Sequence, residues 1–205
     1  LRKAATGLDV RTAATVLELM KDGHLRTQTP AGLAEMKARH ILIATGTRET
    51  PRSARLVGGS RPQGVMNTGA LQQHVYLHHN KPFERPVIIG SELVSFSALL
   101  TCRHLGIRPV AMLEENPRIS AQRPGDLIAR FVLGVPVRTS TKLVAIEGRK
   151  NVEAVEVEHR GKRERIACDG VIFTGLFRPE TALFPAGLPS EKFSISGNAV
   201  GPLKT

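Results

Sequence analysis

"VIIGSELVSFSALL", residues 87–100, decides the predicted fold of this chain. An apolar run over residues 87–89 stops at Gly90, and a helical pattern then covers residues 92–105 and ends before Gly106. A short, continuously apolar run predicts a strand buried on both faces, and a glycine just after a helix predicts a left-handed cap. The apolar face predicted for this helix consists of Leu93, Phe96, Leu99 and Leu100.

A strand, a glycine turn and a helix in this order form the unit that holds a pyrophosphate in dinucleotide-binding folds. The three glycines of that fingerprint allow a tight turn, a close backbone approach to phosphate, and close packing of the helix on the strand. Gly90 supplies the first, Ser95 is small enough for the third, and Glu92 replaces the second. The turn therefore departs from the fingerprint where the phosphate would lie.

Glu92 leaves two interpretations of this turn open. A carboxylate in the first turn stabilises the helix dipole when no anion is bound. Beside a diphosphate about 5 Å away it would cost roughly 3 kcal/mol per charge pair at an effective dielectric of about 20, unless it turned into solvent. Glu114, which ends the next predicted strand, could hydrogen-bond an adenosine ribose. The turn either binds NAD(P) or has kept only the fold.

Turn residues and hydrophobic periodicity extend this unit in both directions. Before it, the pattern predicts an antiparallel meander over 15–19, 24–29 and 33–38, a buried central strand over 40–46, and a crossover loop over 47–85 with a helix at 70–78. After it, the pattern predicts a strand at 108–115, a helix at 125–133, a hairpin over 142–148 and 151–159, and a buried strand that ends at Gly175. These elements predict an α/β fold: a Rossmann-like dinucleotide-binding domain with antiparallel β-meanders.

Composition excludes several classes of protein. The 205 residues are 41% hydrophobic and carry a net charge of +11, but the basic residues are scattered, and one tyrosine with no tryptophan leaves little on which bases could stack. We therefore expect a basic surface and no nucleic acid partner. No apolar run approaches the roughly 20 residues of a membrane span, and the first residues show no secretory signal, so we expect no membrane partner. Cys102 and Cys168 form no CxxC motif, which is typical of a reducing cytoplasm.

The sequence shows no metal site and no catalytic residue. His74 and His78 are four residues apart on a predicted helix, a spacing that could bind a metal. No carboxylates support the pair, and we expect solvated surface histidines. No Ser-His-Asp or Cys-His arrangement is recognisable.

Four segments in chain order resemble the pyridine-nucleotide-linked FAD oxidoreductases, which have two dinucleotide-binding domains. They are "ILIATGTRETPR" (41–52), the overlapping "ATGTRETPRSARLVGGSRPQGVMNTGALQQ" (44–73), "CDGVIFTGLFRP" (168–179) and "SISGNAVGPLKT" (194–205). The second most closely resembles the FAD-dependent subunits of amine and amino-acid oxidases and dehydrogenases, of the sarcosine oxidase alpha, opine oxidase and proline dehydrogenase alpha types. The N-terminal GxGxxG motif of that family is lacking, so the chain resembles an internal piece.

The resemblance implies an organisation, cofactors and partners. Residues 1–82 would be a partial FAD-binding domain, 83–180 an inserted NAD(P)-binding-like domain, and 181–205 a truncated return to the FAD domain. FAD would be the cofactor of the intact relative, with NAD(P) as a second candidate; the substrate would be an amine or amino acid, and partner subunits are expected. The alternative is a non-catalytic scaffold or interaction domain that retains the fold without cofactors. The residues expected near cofactors are Thr45, Gly46, Thr47, Gly90, Ser91, Glu92, Ser95, Glu114, Thr174, Gly175, Gly197 and Asn198.

Overall fold

The computed structural model describes residues 6–121, 134–184 and 191–199. The chain divides into two compact units: Leu1–Arg48 with Pro179–Leu203, and Glu49–Arg178. The predicted helix at 125–133 lies outside the described residues. The units change after residues 48 and 178, the predicted domain boundaries lie after residues 82 and 180, and the division into domains with their cofactors stays a prediction.

The first unit begins with the predicted antiparallel meander. Its strands are β1 (Thr15–Leu19), β2 (His24–Thr29) and β3 (Gly32–Lys37). Gly23 makes the turn before β2 at φ 91°, where an added Cβ would lie 2.5 Å from the carbonyl oxygen of Ala38. The prediction of this meander is confirmed, because its turn residues act locally.

A parallel pair of strands follows in the same unit, formed by β4 (Ile41–Ile43) and β16 (Phe193–Ile195). The predicted buried strand over 40–46 is wrong in length and in burial. Alternate side chains point to opposite faces of a strand. Ile43 packs in a small core, whereas Leu42 is 63% exposed on the face that no described residue of this unit covers.

The chain passes from one unit to the other within β5 (Thr47–Glu49) and β15 (Phe177–Pro179). The predicted crossover loop over 47–85 contains more regular structure than expected. Beyond β5 it contains a short 3₁₀ turn, Arg52–Ala54, and two short strands, β6 (Gly58–Gly59) and β7 (Val65–Asn67). Helix α1 (Thr68–Gln72) follows and continues as a π-helical turn, Gln73–Leu77. The prediction of a helix here is confirmed.

A five-stranded parallel sheet forms the centre of the second unit. In spatial order its strands are β10 (Val137–Arg138), β9 (Ala111–Leu113), β8 (Pro86–Ile89), β14 (Gly170–Phe173) and β7. A mainly antiparallel sheet contains, in spatial order, β13 (Lys162–Ala167), β12 (Ala154–His159), β11 (Thr141–Glu147) and β6. The predicted hairpin and last buried strand are thereby confirmed.

Two cores cover the two faces of the parallel sheet. Ile88 packs in one cluster with residues of α1 and of α2 (Leu93–His104), while Val87 packs in the other cluster with residues of β11, β12 and β13. Because successive side chains of a strand alternate between faces, this division requires β8 to be apolar at every position. The result is a three-layer α/β unit of the predicted class.

Helix α2 begins after Glu92 and ends in the predicted cap. Gly106 has φ 65°, and the amides of Gly106 and Ile107 donate to the carbonyls of Arg103 and Cys102 at 3.1 and 2.9 Å, the Schellman pattern. The helix is therefore terminated by local sequence.

The predicted apolar face of α2 is partly wrong. Leu93 and Leu100 are 74% and 56% exposed. The buried stripe has the helical spacing i, i+3, i+4, i+7 and consists mostly of small side chains: Ser95, Ala98, Leu99 and Cys102. Small residues let the helix axis approach the sheet closely, a requirement that hydrophobicity alone does not reveal.

We expect both cysteines to be unreactive in the folded chain. Cys102 and Cys168 are free and buried, one in each core, and burial raises their pKa values from 9.0 to about 12 and about 11. Because burial raises the pKa of each thiol in the folded state, the protonated thiols contribute fully to stability below pH 9.0. This contribution is lost as the pH rises through the folded-state pKa values. Thiol labelling should be slow at neutral pH, and the free energy of unfolding should fall above pH 9.0. Equal labelling rates in the folded and the denatured chain would contradict this expectation.

Candidate functional site

The strand order of the parallel sheet reverses between β8 and β14. From β8 the chain proceeds through β9 to β10 on one side, while β14 and β7 lie on the other. Open parallel sheets bind ligands at the carboxyl ends of their strands beside such a reversal. A cleft of about 410 Å³ lies at this edge. Four of the predicted site residues line it: Gly90, Glu92, Glu114 and Thr174.

Gly90 makes the turn after β8 and packs directly on the end of β14. Its φ is 118°, and an added Cβ would lie 2.5 Å from Thr174 Oγ1. The Thr174 hydroxyl donates to the carbonyl of Ile89 at 2.9 Å, so the Ser95 hydroxyl, 2.6 Å away, is the donor to Thr174. Three predicted site residues, Gly90, Ser95 and Thr174, are thus brought together, and their contacts close the strand-to-helix junction.

The carboxylate of Glu92 fills the space in front of the end of β14. Gly175 has φ 66°, and a Cβ added there would lie 2.2 Å from Glu92 Cδ. The backbone amide of Leu176 donates to Glu92 Oε1 at 3.2 Å. Glu92 is the N-cap residue of α2, but its side chain makes no capping hydrogen bond to that helix. The side chain is therefore directed across the cleft, with its charge half-buried.

Arg55 was not predicted as a site residue, yet it is a half-buried cation that lines this cleft. Its guanidinium donates to the carbonyls of Thr50, Thr174 and Gly175 at 2.8–2.9 Å and lies 5.0 Å from the ring centre of Phe173. Burial lowers the pKa of Arg55, and the nearby charges of Glu49 and Glu92 offset that effect only in part. Arg55 therefore balances the charge of Glu92 within the chain.

Glu114 is 5% exposed and has both carboxylate oxygens engaged. Oε1 accepts from the backbone amide and the side-chain amide of Asn116 at 2.9 and 2.8 Å. Oε2 accepts from the hydroxyls of Ser91 and Ser120, and the Ser91 hydroxyl in turn accepts from the backbone amide of Ser120 at 2.8 Å. Glu114, which was predicted to hydrogen-bond a ribose, thus connects the loop after β9 to the turn after β8.

The described residues of the cleft do not fit a dinucleotide. A pyrophosphate at the start of α2 would lie beside the Glu92 carboxylate, and the two negative charges would repel each other. A ribose would find the oxygens of Glu114 already bonded within the chain. The structure thus brings seven predicted site residues together, but they contact one another and other groups of the chain. They are Gly90, Ser91, Glu92, Ser95, Glu114, Thr174 and Gly175.

The remaining predicted site residues lie at the edge of the first unit where β4 and β16 end. These strands are parallel and in register, so Thr45 and Gly46 after β4 share an edge with Gly197 and Asn198 after β16. The Thr45 hydroxyl donates to the carbonyl of Glu180 at 2.9 Å. Gly46 and Gly197 have φ 72° and 68°, and an added Cβ would meet open space at either position. Thr47 begins β5 and is half-buried. Bare backbone at this edge fits a cofactor that lies against it.

A larger depression of about 710 Å³ in the second unit contains none of the predicted site residues. Arg52 and Arg61 line it, and burial together with the charge of Arg61 lowers the pKa of Arg52. Arg52 donates to the carbonyl of Gly58 at 2.9 Å. The depression is adjacent to the cleft, since Val57 and Phe173 line both.

His74 and His78 lie at the π-helical turn that follows α1. The rings of His74 and His78 lie edge to face with centroids 6.2 Å apart. Within residues 6–121, 134–184 and 191–199, no group of three or more His, Cys, Asp or Glu side chains is arranged to hold a metal ion. Among the same residues, no helix has the length and apolar character that crossing a membrane requires.

A three-layer unit with a central parallel sheet, and with a strand–turn–helix segment at the reversal point of that sheet, defines a Rossmann-type dinucleotide-binding fold. The chain belongs to the pyridine nucleotide-disulphide oxidoreductase family, whose sequence model matches residues 1–196. This confirms the family predicted from the sequence. It also confirms, at the level of the family, the cofactor classes expected from it, FAD with NAD(P) as a second candidate.

One curated relative is sarcosine oxidase subunit alpha of Rhizobium meliloti (strain 1021), which is 28% identical over 142 residues. That match covers 69% of this chain and 13% of the relative, so the chain spans a small part of that protein. This relative is a subunit of the predicted type.

Solved structures with the same fold include a NAD-dependent persulfide reductase from A. fulgidus and the thioredoxin reductase of T. acidophilum. The first has a TM-score of 0.67 and 19% identity, with 88% of this chain and 34% of that chain covered. The second has a TM-score of 0.66 and 17% identity, with 91% and 65% covered. At these identities the likeness establishes the fold alone.

Proposed function

We propose that this chain is a section of an FAD-linked oxidoreductase subunit that oxidises an amine or an amino acid. The observation that carries the proposal is the match to sarcosine oxidase subunit alpha over 142 residues. Hydride acceptance would be the chemistry of the flavin, and residues of this chain would hold and orient it. Since the relative is a named subunit, we propose partner subunits as well.

Neither cysteine of this chain fits disulphide reduction, the chemistry named for some structural relatives. Disulphide exchange needs a thiolate that can reach its substrate. The sequence contains two cysteines, and both are buried in different cores with raised pKa values. Free, buried thiols are also compatible with the reducing cytoplasm that we propose as the location.

The edge formed by Thr45, Gly46, Thr47, Gly197 and Asn198 is our candidate for the flavin contact. Gly46→Ala should lower the flavin content of the purified protein, because the methyl group would project into the open space that the cofactor would use. Gly161→Ala is the matched control: Gly161 has φ 77° and also faces open space, but it lies in an exposed turn of the second unit.

The test is to purify the protein with its copurifying polypeptides, record the flavin absorbance, and measure dye reduction with sarcosine and with proline. We expect bound flavin and reduction of the dye by an amine. Protein that stays free of flavin when FAD is added and reduces no dye would contradict the proposal. That result would favour the second candidate, a scaffold that keeps the fold without cofactors. The observation that supports this alternative is the position of the Glu92 carboxylate in the cleft of the second unit, against Gly175 and bonded to the Leu176 amide.

A further inference from the structure

We infer that Glu92 is an internal anion that occupies the place of a dinucleotide's pyrophosphate and closes the cleft of the Glu49–Arg178 unit to NAD(P). The inference concerns this cleft alone. It stands whether or not the first unit holds a flavin, and it goes beyond the proposed function.

The Glu92 carboxylate lies at the end of the cleft where a pyrophosphate would bind. At the reversal point of a parallel sheet, a bound pyrophosphate lies at the start of the helix that follows the first strand. Glu92 immediately precedes α2, yet its carboxylate packs on the α-carbon of Gly175 and accepts from the Leu176 amide at 3.2 Å. A phosphate oxygen entering the same cleft would compete for that space and that donor.

The lining of the cleft carries more negative than positive charge. Two cations line it, Arg55 and Lys142, together with the carboxylates of Glu92, Glu114 and Glu115. Arg55 donates to three backbone carbonyls and feels the charge of Glu92, and Lys142 pairs with Glu115 at 3.3 Å. A diphosphate would therefore bring further negative charge to a cleft whose cations already have anionic neighbours.

The carboxylate of Glu114 has no free acceptor for a ribose. A ribose-binding acid must offer a free acceptor to the sugar hydroxyls. Four donors from Ser91, Asn116 and Ser120 converge on the Glu114 carboxylate, which is buried. The adenosine ribose of a dinucleotide would therefore find the Glu114 carboxylate already hydrogen-bonded within the chain.

Glu92 is the simplest of these obstacles to remove. Glu92→Gly would abolish the carboxylate, release the Leu176 amide as a donor, and restore a glycine two residues after Gly90. Glu92→Ala removes the same carboxylate while keeping the helix start less flexible. Glu115→Gln is the matched control, since Glu115 also lines the cleft but is exposed, and its ion pair with Lys142 is exposed as well.

The experiment is a titration of the full chain and these variants with NADH and NADPH, followed by nicotinamide fluorescence and calorimetry, after thermal melts have shown that each variant folds. The wild type and Glu115→Gln should show no saturable binding, whereas Glu92→Gly or Glu92→Ala should bind saturably, at least tenfold more tightly than any residual affinity of the wild type.

Saturable binding to the wild type with the affinity of the Glu92 variants would overturn the inference. So would folded Glu92 variants that gain no affinity. If neither variant folds, the wild-type titration still decides, because any saturable NAD(P)H binding at this cleft contradicts a closed site. Flavin plays no part in the readout, so failure here leaves the amine-oxidation proposal standing.

Discussion

Replacing Glu114 with alanine is expected to lower the free energy of unfolding by about 3 kcal/mol, because four donors, one of them the buried Ser91 hydroxyl, would lose a buried acceptor together. The Ser91 hydroxyl, the Ser120 hydroxyl and two N–H groups of Asn116 all point at this carboxylate. Their loss would uncouple the loop after β9 from the turn after β8. Chemical denaturation of the variant and the wild type measures the effect.

Glu115→Ala is the control for this variant, because it removes a carboxylate from the neighbouring position. The ion pair of Glu115 with Lys142 has both side chains more than 60% exposed, and exposed pairs contribute about 0–1 kcal/mol. We therefore expect little change. Equal losses in the two variants would mean that the network around Glu114 does not stabilise the fold.

Gly90→Ala is expected to cost about 3 kcal/mol of unfolding free energy. At φ 118° an alanine is strained, and its Cβ would lie 2.5 Å from Thr174 Oγ1, inside a buried hydrogen-bond chain. The side chain would have to push β14 away from β8, at the junction on which the cleft is built. Denaturation curves with unchanged slopes would report the loss as one of stability.

Gly106→Ala separates backbone strain from steric overlap. Gly106 also has a positive φ, 65°, but a Cβ added there meets open space, so we expect a loss of about 1 kcal/mol. If Gly90→Ala costs no more than Gly106→Ala, the close packing of Gly90 on Thr174 is not a constraint of the fold.

The sequence predicted the elements whose signals are local. The run at 87–89, the turn at Gly23 and the cap at Gly106 each depend on neighbours within a few residues, and the structure confirms all three. The apolar face of α2 was predicted less well, because Ser95 and Cys102 are buried for their small size and not for their hydrophobicity.

The site was predictable as a location but not as a set of contacts. The fingerprint placed it at Gly90, and the structure brings Thr174 and Gly175 to that turn. The bond between Glu92 and the Leu176 amide joins residues 84 positions apart, and Arg55 reaches the Gly175 carbonyl across 120 positions. Such pairings arise from the tertiary fold, so a single sequence cannot reveal that polar groups lining the cleft are already bonded within the chain.

Amide hydrogen exchange at Leu176 in the wild-type chain, with and without NADH, shows whether the cleft is closed to the dinucleotide. We expect the Leu176 amide to be protected in the free chain by its bond to Glu92, and we expect NADH to leave the protection unchanged. A fast-exchanging Leu176 amide that becomes protected only when NADH is added would show that the cleft is open to the dinucleotide and that Glu92 does not close it.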